Sequence, residues 1–297
     1  MNTIELSKEE LKRLEQAKLS YEVYNTESNI LNYDCDGEEK IIKIFSNIDY
    51  DVFENKLYTV EMLAKYKDIL PKSFCIPEAL ISINGNVKGI MLPYIKGKNL
   101  ISVLMNSKIK WENKKKYFIA IGKILDELKE VRENTELKDV YIGDLHDSNF
   151  ITVGKENVSV IDLDSCKIAG NKSSISRFLT RYSLFNRTTK CKYDLVKDIN
   201  ERIAVNIDEN TDLYCYYMNL LSHLYGDSVD CFFEDDYYRY LDYLDKIGFS
   251  KKLLEAFDNL ISDRNNINPY EEIGTITEEQ ARMADAVSYG KYLKKKR

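Results

Sequence analysis

Apolar and polar residues alternate differently in the first third of the chain and in the remainder. Runs rich in β-branched residues at 38–45, 79–84 and 87–95 predict strands, and the Gly-Asn pair between the last two predicts a hairpin turn. From residue 96 onward, apolar residues recur at helical spacing, most regularly over 111–131, where they form one stripe. The pattern therefore predicts an α+β fold, with a small sheet followed by a mainly helical part.

Start and stop signals define further helices. Ser7 and Glu10 form a capping box, which predicts a helix to about residue 20. Helical spacing over 51–70 ends at Pro71, and Gly226 is a typical helix stop. The other predicted helices cover 99–106, 210–225, 235–246, 250–263 and 276–293.

Polar residues bracket a second predicted hairpin. The segments 150–153 and 158–163 are β-rich and are joined by the turn sequence Gly-Lys-Glu-Asn. Asp144 and Asn149 precede the first strand, and Asp162 closes the second. Because antiparallel pairing brings these ends together, we expect two carboxylates and an amide oxygen to lie close together at the open end of the hairpin. Such hard oxygen donors suit Mg²⁺, whose remaining positions are filled by water and phosphate.

Composition narrows the class of protein. The chain has 297 residues, of which 44% are hydrophobic and 31% charged, as in ordinary soluble globular proteins. A net charge of −6 argues against general nucleic-acid binding, and the basic run at 291–297 is expected to be a solvated tail. No apolar run is long enough to predict a membrane span. Scattered cysteines without a Cys-x-x-Cys pair argue against a zinc site and, with a polar N-terminus, predict a cytoplasmic protein.

This arrangement of polar residues around the second hairpin resembles the catalytic and metal loops of the protein-kinase-like superfamily, in which Asp-x-x-x-x-Asn is followed by a hairpin and then by a second Asp. The resemblance implies a bilobal fold with a small antiparallel-sheet N-lobe and a mainly helical C-lobe, and ATP and Mg²⁺ as cofactors. The implied regions are a helical extension at 1–20, the N-lobe at 21–95, the C-lobe at 96–270, and a final helix with the basic tail at 271–297.

The same resemblance implies roles for individual side chains. Asp144 would orient the acceptor hydroxyl and take up its proton, while Asn149 and Asp162 would bind the metal. Lys43, flanked by isoleucines in a predicted strand, resembles the lysine that holds the α- and β-phosphates. Glu61, in the middle of the helix predicted at 51–70, resembles the glutamate that pairs with this lysine.

The resemblance also implies a nucleotide pocket. Ile41 shares a strand face with Lys43 and could pack on the adenine. Leu92 would be the gatekeeper of a hinge, in which the carbonyl of Pro93 and the N–H of Ile95 bond to the base. His146 would contact the γ-phosphate or hold the catalytic loop. Asp212 either fastens the backbone of that loop or is an ordinary N-terminal helix charge.

Three features depart from the protein-kinase pattern. The turn at 24–29 has no glycine, although bare backbone normally lies over the phosphates. Gly143 stands where an arginine usually reads a phosphorylated activation loop, so we expect no phosphorylation switch of the usual kind. Residues 166–200 lack an Ala-Pro-Glu closing motif, although they are rich in basic and hydroxyl side chains as an activation or substrate-binding segment could be; Arg177, Arg181 and Arg187 are either part of such a segment or simply solvated.

These patterns leave three expectations for function. The first is an enzyme, a serine/threonine protein-kinase-like phosphotransferase with ATP and a protein substrate as partners. The sequence Gly-Asp-Leu-His at 143–146 resembles instead the loop of aminoglycoside- and choline-type kinases, for which the partner is a small hydroxyl-bearing acceptor. The turn without glycine motivates the third, a pseudokinase that binds partners without phosphoryl transfer.

Overall fold

The structure is a computed structural model, and it describes residues 1–16, 28–46, 48–171, 207–229, 232, 234–262 and 266–296. These residues form a mixed α+β fold in which a small sheet is followed by a helical region, as the sequence predicts. None of the helices in these ranges is long and apolar enough to cross a membrane.

A five-stranded sheet occupies the first third of the chain. Its strands are β1 (Asn2–Leu6), β2 (Ser28–Cys35), β3 (Glu38–Phe45), β4 (Ala79–Ile83) and β5 (Asn86–Pro93). The spatial order is β1-β4-β5-β3-β2, and every pair is antiparallel except β1 with β4, which is parallel. The expectation of a purely antiparallel sheet is therefore corrected to a mixed one.

The first 16 residues form an edge strand of this sheet and then a helix that packs on it, so a strand precedes the predicted N-terminal helix. β1 pairs along the edge of β4, and Leu6 is buried in the apolar cluster on one face of the sheet. The predicted capping box is present, since the N–H of Glu10 donates to Ser7 Oγ at 3.2 Å and the N–H of Ser7 donates to the Glu10 carboxylate at 2.8 Å. It begins helix α1 (Lys8–Gln16), whose Leu11 and Leu14 cover one apolar face of the sheet.

Helix α2 (Tyr50–Lys65) packs against the opposite face, where Val60 contacts Phe45 and Ile90. The two faces follow from the period of two along a strand. Ile42 and Ile44 point toward the α1 side, while Lys43 and Phe45 point toward the α2 side. The α2 face is therefore the one that presents Lys43 to the rest of the chain.

The helical region completes the fold. Its helices are α3 (Leu100–Leu104), α4 (Trp111–Asn134), α5 (Glu209–Tyr225), α6 (Glu234–Lys246), α7 (Lys251–Asn259), α8 (Glu278–Met283) and α9 (Ala286–Lys296). Its short strands are β6 (Lys98–Asn99), β7 (Val140–Tyr141), β8 (Phe150–Val153), β9 (Asn157–Val160) and β10 (Lys167–Ile168). The single helix expected at 276–293 is thus two helices.

Helices α4 and α5 form the centre of the helical core. Gly122 in α4 allows a close approach, because a Cβ atom there would lie 2.2 Å from Cβ of Tyr270 and 2.8 Å from the Tyr216 hydroxyl. His223 in α5 packs with Trp111 and Phe118, as expected for a core histidine. Burial lowers the pKa of His223 to about 4. This core supports the loop that carries Asp144, because Asp212 of α5 binds the backbone of that loop.

Candidate functional site

The loop between β7 and β8 places Asp144 beside Asn149. A 3₁₀ turn at Asp147–Asn149 ends the loop, and the Asn149 side-chain amide then points back along it. Its nitrogen donates to the backbone carbonyl of Asp144 at 2.9 Å and to the carboxylate of Asp144 at 3.2 Å. Gly143 has φ +74, a backbone conformation that an arginine would adopt only under strain. The glycine before Asp144 is therefore required by the shape of this loop.

Asp212 fastens the beginning of the same loop. Its carboxylate accepts hydrogen bonds from the N–H groups of Ile142 at 2.8 Å and Gly143 at 2.9 Å. Asp212 lies in the first turn of α5, so both sequence-based interpretations apply to it. Burial raises the pKa of Asp212 to about 6, although the two backbone hydrogen bonds act in the opposite direction. This contact ties the loop carrying Asp144 to the helical core.

Asp162 lies at the other end of the β8–β9 hairpin. The register pairs Phe150 with Val160, and the N–H of Ile161 donates to the carbonyl of Asn149 at 2.9 Å. The two ends of the hairpin therefore meet, as antiparallel pairing predicts. The second strand ends at Val160, so Asp162 is outside it, with φ 62 and ψ 36 in the left-handed region that aspartate tolerates.

Lys43 on β3 reaches across to this end of the hairpin. Its Nζ forms ion pairs with Asp162 and with Asp164, the latter at 2.6 Å. Burial lowers the pKa of Lys43, but the charges of Asp164 and Asp162 outweigh it, so the pKa is raised and the amine stays charged. Lys40 instead forms ion pairs at the surface with Glu38 and Glu78. Lys43 is thus the lysine that the fold brings to the predicted metal residues.

The structure does not bring Glu61 to Lys43, and this prediction is wrong. Glu61 is exposed on α2, whereas Lys56 is 3% exposed and faces the site. Five residues separate the two positions, which at 100° per residue turns them roughly 140° apart around the helix. Lys56 Nζ lies 2.9 Å from Asp164 Oδ2. The acidic partner of Lys43 therefore comes from the segment after β9, and α2 contributes a second lysine to the site.

Asp164 and Lys56 are the site residues that sequence reasoning missed. Asp164 is 2% exposed, and burial raises its pKa while the charges of Lys43 and Lys56 lower it well below its usual range. The pKa of Asp162 is raised, because burial and the charge of Asp164 outweigh the effect of Lys43. A signal was present in the sequence, since Lys56 falls on the apolar stripe with Val60 at helical spacing.

Additional contacts fix α2 to the segment that follows Asp164. The Tyr58 hydroxyl donates to the carbonyl of Ala169 at 2.8 Å. The Asn171 amide donates to Thr59 Oγ1 at 2.5 Å and to the carbonyl of Cys166 at 2.8 Å. Side-chain contacts from Lys56, Tyr58 and Thr59 therefore hold α2 against the segment 164–171.

His146 lies directly against the carboxylate of Asp144. Its Nε2 is 3.5 Å from Asp144 Oδ2. Burial lowers the pKa of His146, but the hydrogen bond and charge of Asp144 and the charges of Asp147 and Asp162 raise it, so that the net shift is upward. A protonated imidazole at this position places a positive charge next to Asp144.

The residues expected around a nucleotide base follow the strand register. Ile41 pairs with Leu92 across β3 and β5, on the same face as Lys43. The carbonyl of Pro93 lies 3.7 Å from the Cys75 thiol, and a carbonyl oxygen can accept a second hydrogen bond. Ile95 lines an open groove with α4 and the β8–β9 hairpin, and Lys43 is not among the residues that line it. Most of the turn at 24–29 lies outside the described residues, as do Arg177, Arg181 and Arg187.

The donor atoms fit a magnesium ion shared with phosphate. Asn149 turns its amide nitrogen toward Asp144, which directs its oxygen away from that carboxylate, and Asp162 supplies a carboxylate at the same end of the hairpin. Within the described ranges, no group of three or more His, Cys, Asp or Glu side chains is arranged to hold a metal. Mg²⁺ bound with a nucleotide needs only one or two protein carboxylates, because phosphate and water fill the other positions.

Neither models of known protein families nor curated proteins gave a match to this chain.

Proposed function

We propose that this chain is an ATP- and Mg²⁺-dependent phosphotransferase that acts on a hydroxyl group. The convergence of Lys43, Asp162 and the Asp144–Asn149 pair at one end of a hairpin supports this proposal most directly. These groups derive from separate parts of the chain, and each has a chemical use in phosphoryl transfer, which depends chiefly on positioning and charge neutralisation.

Each side chain has a defined task in the proposed reaction. The acceptor hydroxyl oxygen forms a bond to the γ-phosphorus of ATP, the bond from that phosphorus to the β,γ-bridging oxygen breaks, and ADP leaves. Asp144 orients the hydroxyl and takes up its proton, while Lys43 neutralises charge on the α- and β-phosphates. Asn149 and Asp162 would hold Mg²⁺, which supplies further charge neutralisation when bound.

The acceptor that we favour is a serine or threonine hydroxyl of a protein. Asp212 supports this choice, since its grip on the N–H groups of Ile142 and Gly143 matches the loop fastening expected from the protein-kinase resemblance. The contact of His146 with Asp144 favours a second candidate, a kinase for a small hydroxyl-bearing molecule. A pseudokinase remains the alternative without catalysis.

The test is transfer of labelled γ-phosphate by the purified protein with Mg²⁺, comparing wild type with Asp144→Ala. Loss of the group that positions the acceptor and takes its proton should lower turnover about 10²- to 10⁴-fold. ATP affinity should stay within about threefold, because Asp144 is assigned to the acceptor. Asp68→Asn, an exposed acid outside the site, serves as the control.

The destination of the label separates the candidates. Label on serine or threonine of protein supports a protein kinase, and transfer only to added aminoglycosides or choline supports a small-molecule kinase. ATP binding without transfer to any acceptor would support the pseudokinase. Equal turnover by wild type and Asp144→Ala would refute the assignment of Asp144.

A further inference from the structure

We propose that Lys56 is a positioning residue that sets the place of Lys43 through the carboxylate of Asp164. This inference rests on the proposed function, because it concerns how the lysine assigned to the phosphates is held. It goes beyond that function because it assigns α2 a different contribution to the site. The resemblance implied a glutamate from this helix, whereas the structure supplies a lysine.

One carboxylate links the two lysines. Asp164 Oδ1 lies 2.6 Å from Lys43 Nζ, and Asp164 Oδ2 lies 2.9 Å from Lys56 Nζ. All three residues are 2–3% exposed, so water does not screen the contacts. Each oxygen of Asp164 therefore serves a different lysine, one from the sheet and one from α2.

The charges explain why the second lysine matters. Lys43 faces both Asp162 and Asp164, which is one positive charge against two negative charges. Lys56 restores the balance within this buried group. Without it, the two carboxylates would hold the Lys43 amine more strongly between them and would oppose its contact with phosphate. With it, Asp164 keeps a cationic partner when Lys43 turns toward the nucleotide.

Lys56 is itself held in place by the surrounding contacts. Its Nζ lies 2.6 Å from the hydroxyl of Ser165, next to Asp164 in the chain. Tyr58 and Thr59 bind the segment up to Asn171, which fixes α2 against the loop. The position of Lys56 relative to Asp164 is therefore set by the fold.

The experiment measures the affinities for ATP and for adenosine in wild type and in Lys56→Met. Adenosine lacks phosphates, so a displaced Lys43 should leave its binding unchanged. We expect Lys56→Met to weaken ATP binding about tenfold to a hundredfold, the range for one charged hydrogen bond, and to leave adenosine affinity within about twofold. Lys56→Arg should restore most of the ATP affinity. Lys65→Met, an exposed lysine of the same helix, is the matched control.

A second background tests whether the effect passes through Asp164. In Asp164→Asn, addition of Lys56→Met should not lower the ratio of ATP affinity to adenosine affinity any further. An equal loss of ATP and adenosine binding in Lys56→Met would show a purely structural role. An unchanged ATP affinity, or the same additional loss in the Asp164→Asn background, would also overturn the inference.

Folding and function can be separated in this experiment. Circular dichroism and thermal unfolding establish that each variant is folded before its binding is measured. If Lys56→Met does not fold, Lys56→Gln takes its place, because it keeps a polar chain with a hydrogen-bond donor, and the same outcomes apply. Wild type that binds no ATP would refute the proposed function and this inference together, whereas normal ATP binding that is insensitive to Lys56 would refute the inference alone.

Discussion

The pH dependence of unfolding should show that the partly buried imidazole of His223 is neutral in the folded protein. Its imidazole lies 6.3 Å from the Trp111 ring and 5.8 Å from the Phe118 ring, measured between centroids. Burial, with a smaller effect from the charge of Lys114, lowers the pKa of His223 to about 4. In the unfolded chain the pKa returns to about 6.5. Mildly acidic conditions therefore lower the free energy of unfolding.

The size of the effect follows from the two pKa values. Because the folded-state pKa is the lower one, His223 contributes its full stability above pH 6.5 and loses it as the pH falls toward 4. One pKa unit corresponds to about 1.4 kcal/mol, so the total loss is about 3 kcal/mol, of which about 2 kcal/mol is lost by pH 5. His223→Phe has no titrating group, and the cost of fitting the larger ring, about 1–3 kcal/mol, is the same at both pH values and cancels in the comparison.

The measurement is urea-induced unfolding of wild type and His223→Phe at pH 7.5 and pH 5.0. Relative to wild type, the variant should gain about 2 kcal/mol in the free energy of unfolding between the two pH values. His146→Gln is the control, since the pKa of His146 is raised and its stability contribution is lost as the pH increases. That variant should therefore change in the opposite direction. The same pH dependence in wild type and His223→Phe would refute the burial argument.

Two further predictions test the core and the catalytic loop. Gly122→Ala should lower the free energy of unfolding by about 2–3 kcal/mol, because the new Cβ would lie 2.2 Å from Cβ of Tyr270. Gly290→Ala in α9, where a Cβ meets nothing within 4 Å, should instead stabilise the protein by up to about 1 kcal/mol in the same urea titration. Asp212→Ala should lower kcat about 10²-fold with ATP affinity nearly unchanged, since the loop carrying Asp144 loses its anchor. Steady-state kinetics would contradict this if kcat stayed at the wild-type value.

The sequence predicted those parts of the fold that depend on local chemistry. The β8–β9 hairpin follows from its turn and from the period of two, and α1 follows from the reciprocal contacts of Ser7 and Glu10. β1 was missed because its pairing with β4 spans more than 70 residues and only part of its short run is apolar. Helix α2 ends at Lys65, although the sequence predicted that it continues to residue 70. The residues between Lys65 and Pro71 form turns instead.

The site was harder to predict wherever it depends on distant charges. Asp144, Asn149 and Asp162 flank the two ends of one hairpin, so their convergence could be expected from sequence. Lys56 was not assigned in this way, because lysine is normally a surface residue and its place on the apolar stripe was the sole local signal. Its burial is explained by its contacts with Asp164 and Ser165, which lie 108 and 109 residues away along the chain. The resemblance led instead to Glu61, which α2 turns toward solvent.

Binding of ATP with and without Mg²⁺ tests the central claim most directly, through calorimetry on wild type and Asp162→Asn. Asparagine tolerates the left-handed backbone of Asp162, so the substitution removes the charge and leaves the loop unstrained. We predict that Mg²⁺ tightens ATP binding by wild type and that Asp162→Asn loses this increment. ATP affinity that is the same with Mg²⁺ or EDTA and in both proteins, or no ATP binding at all, would contradict the account.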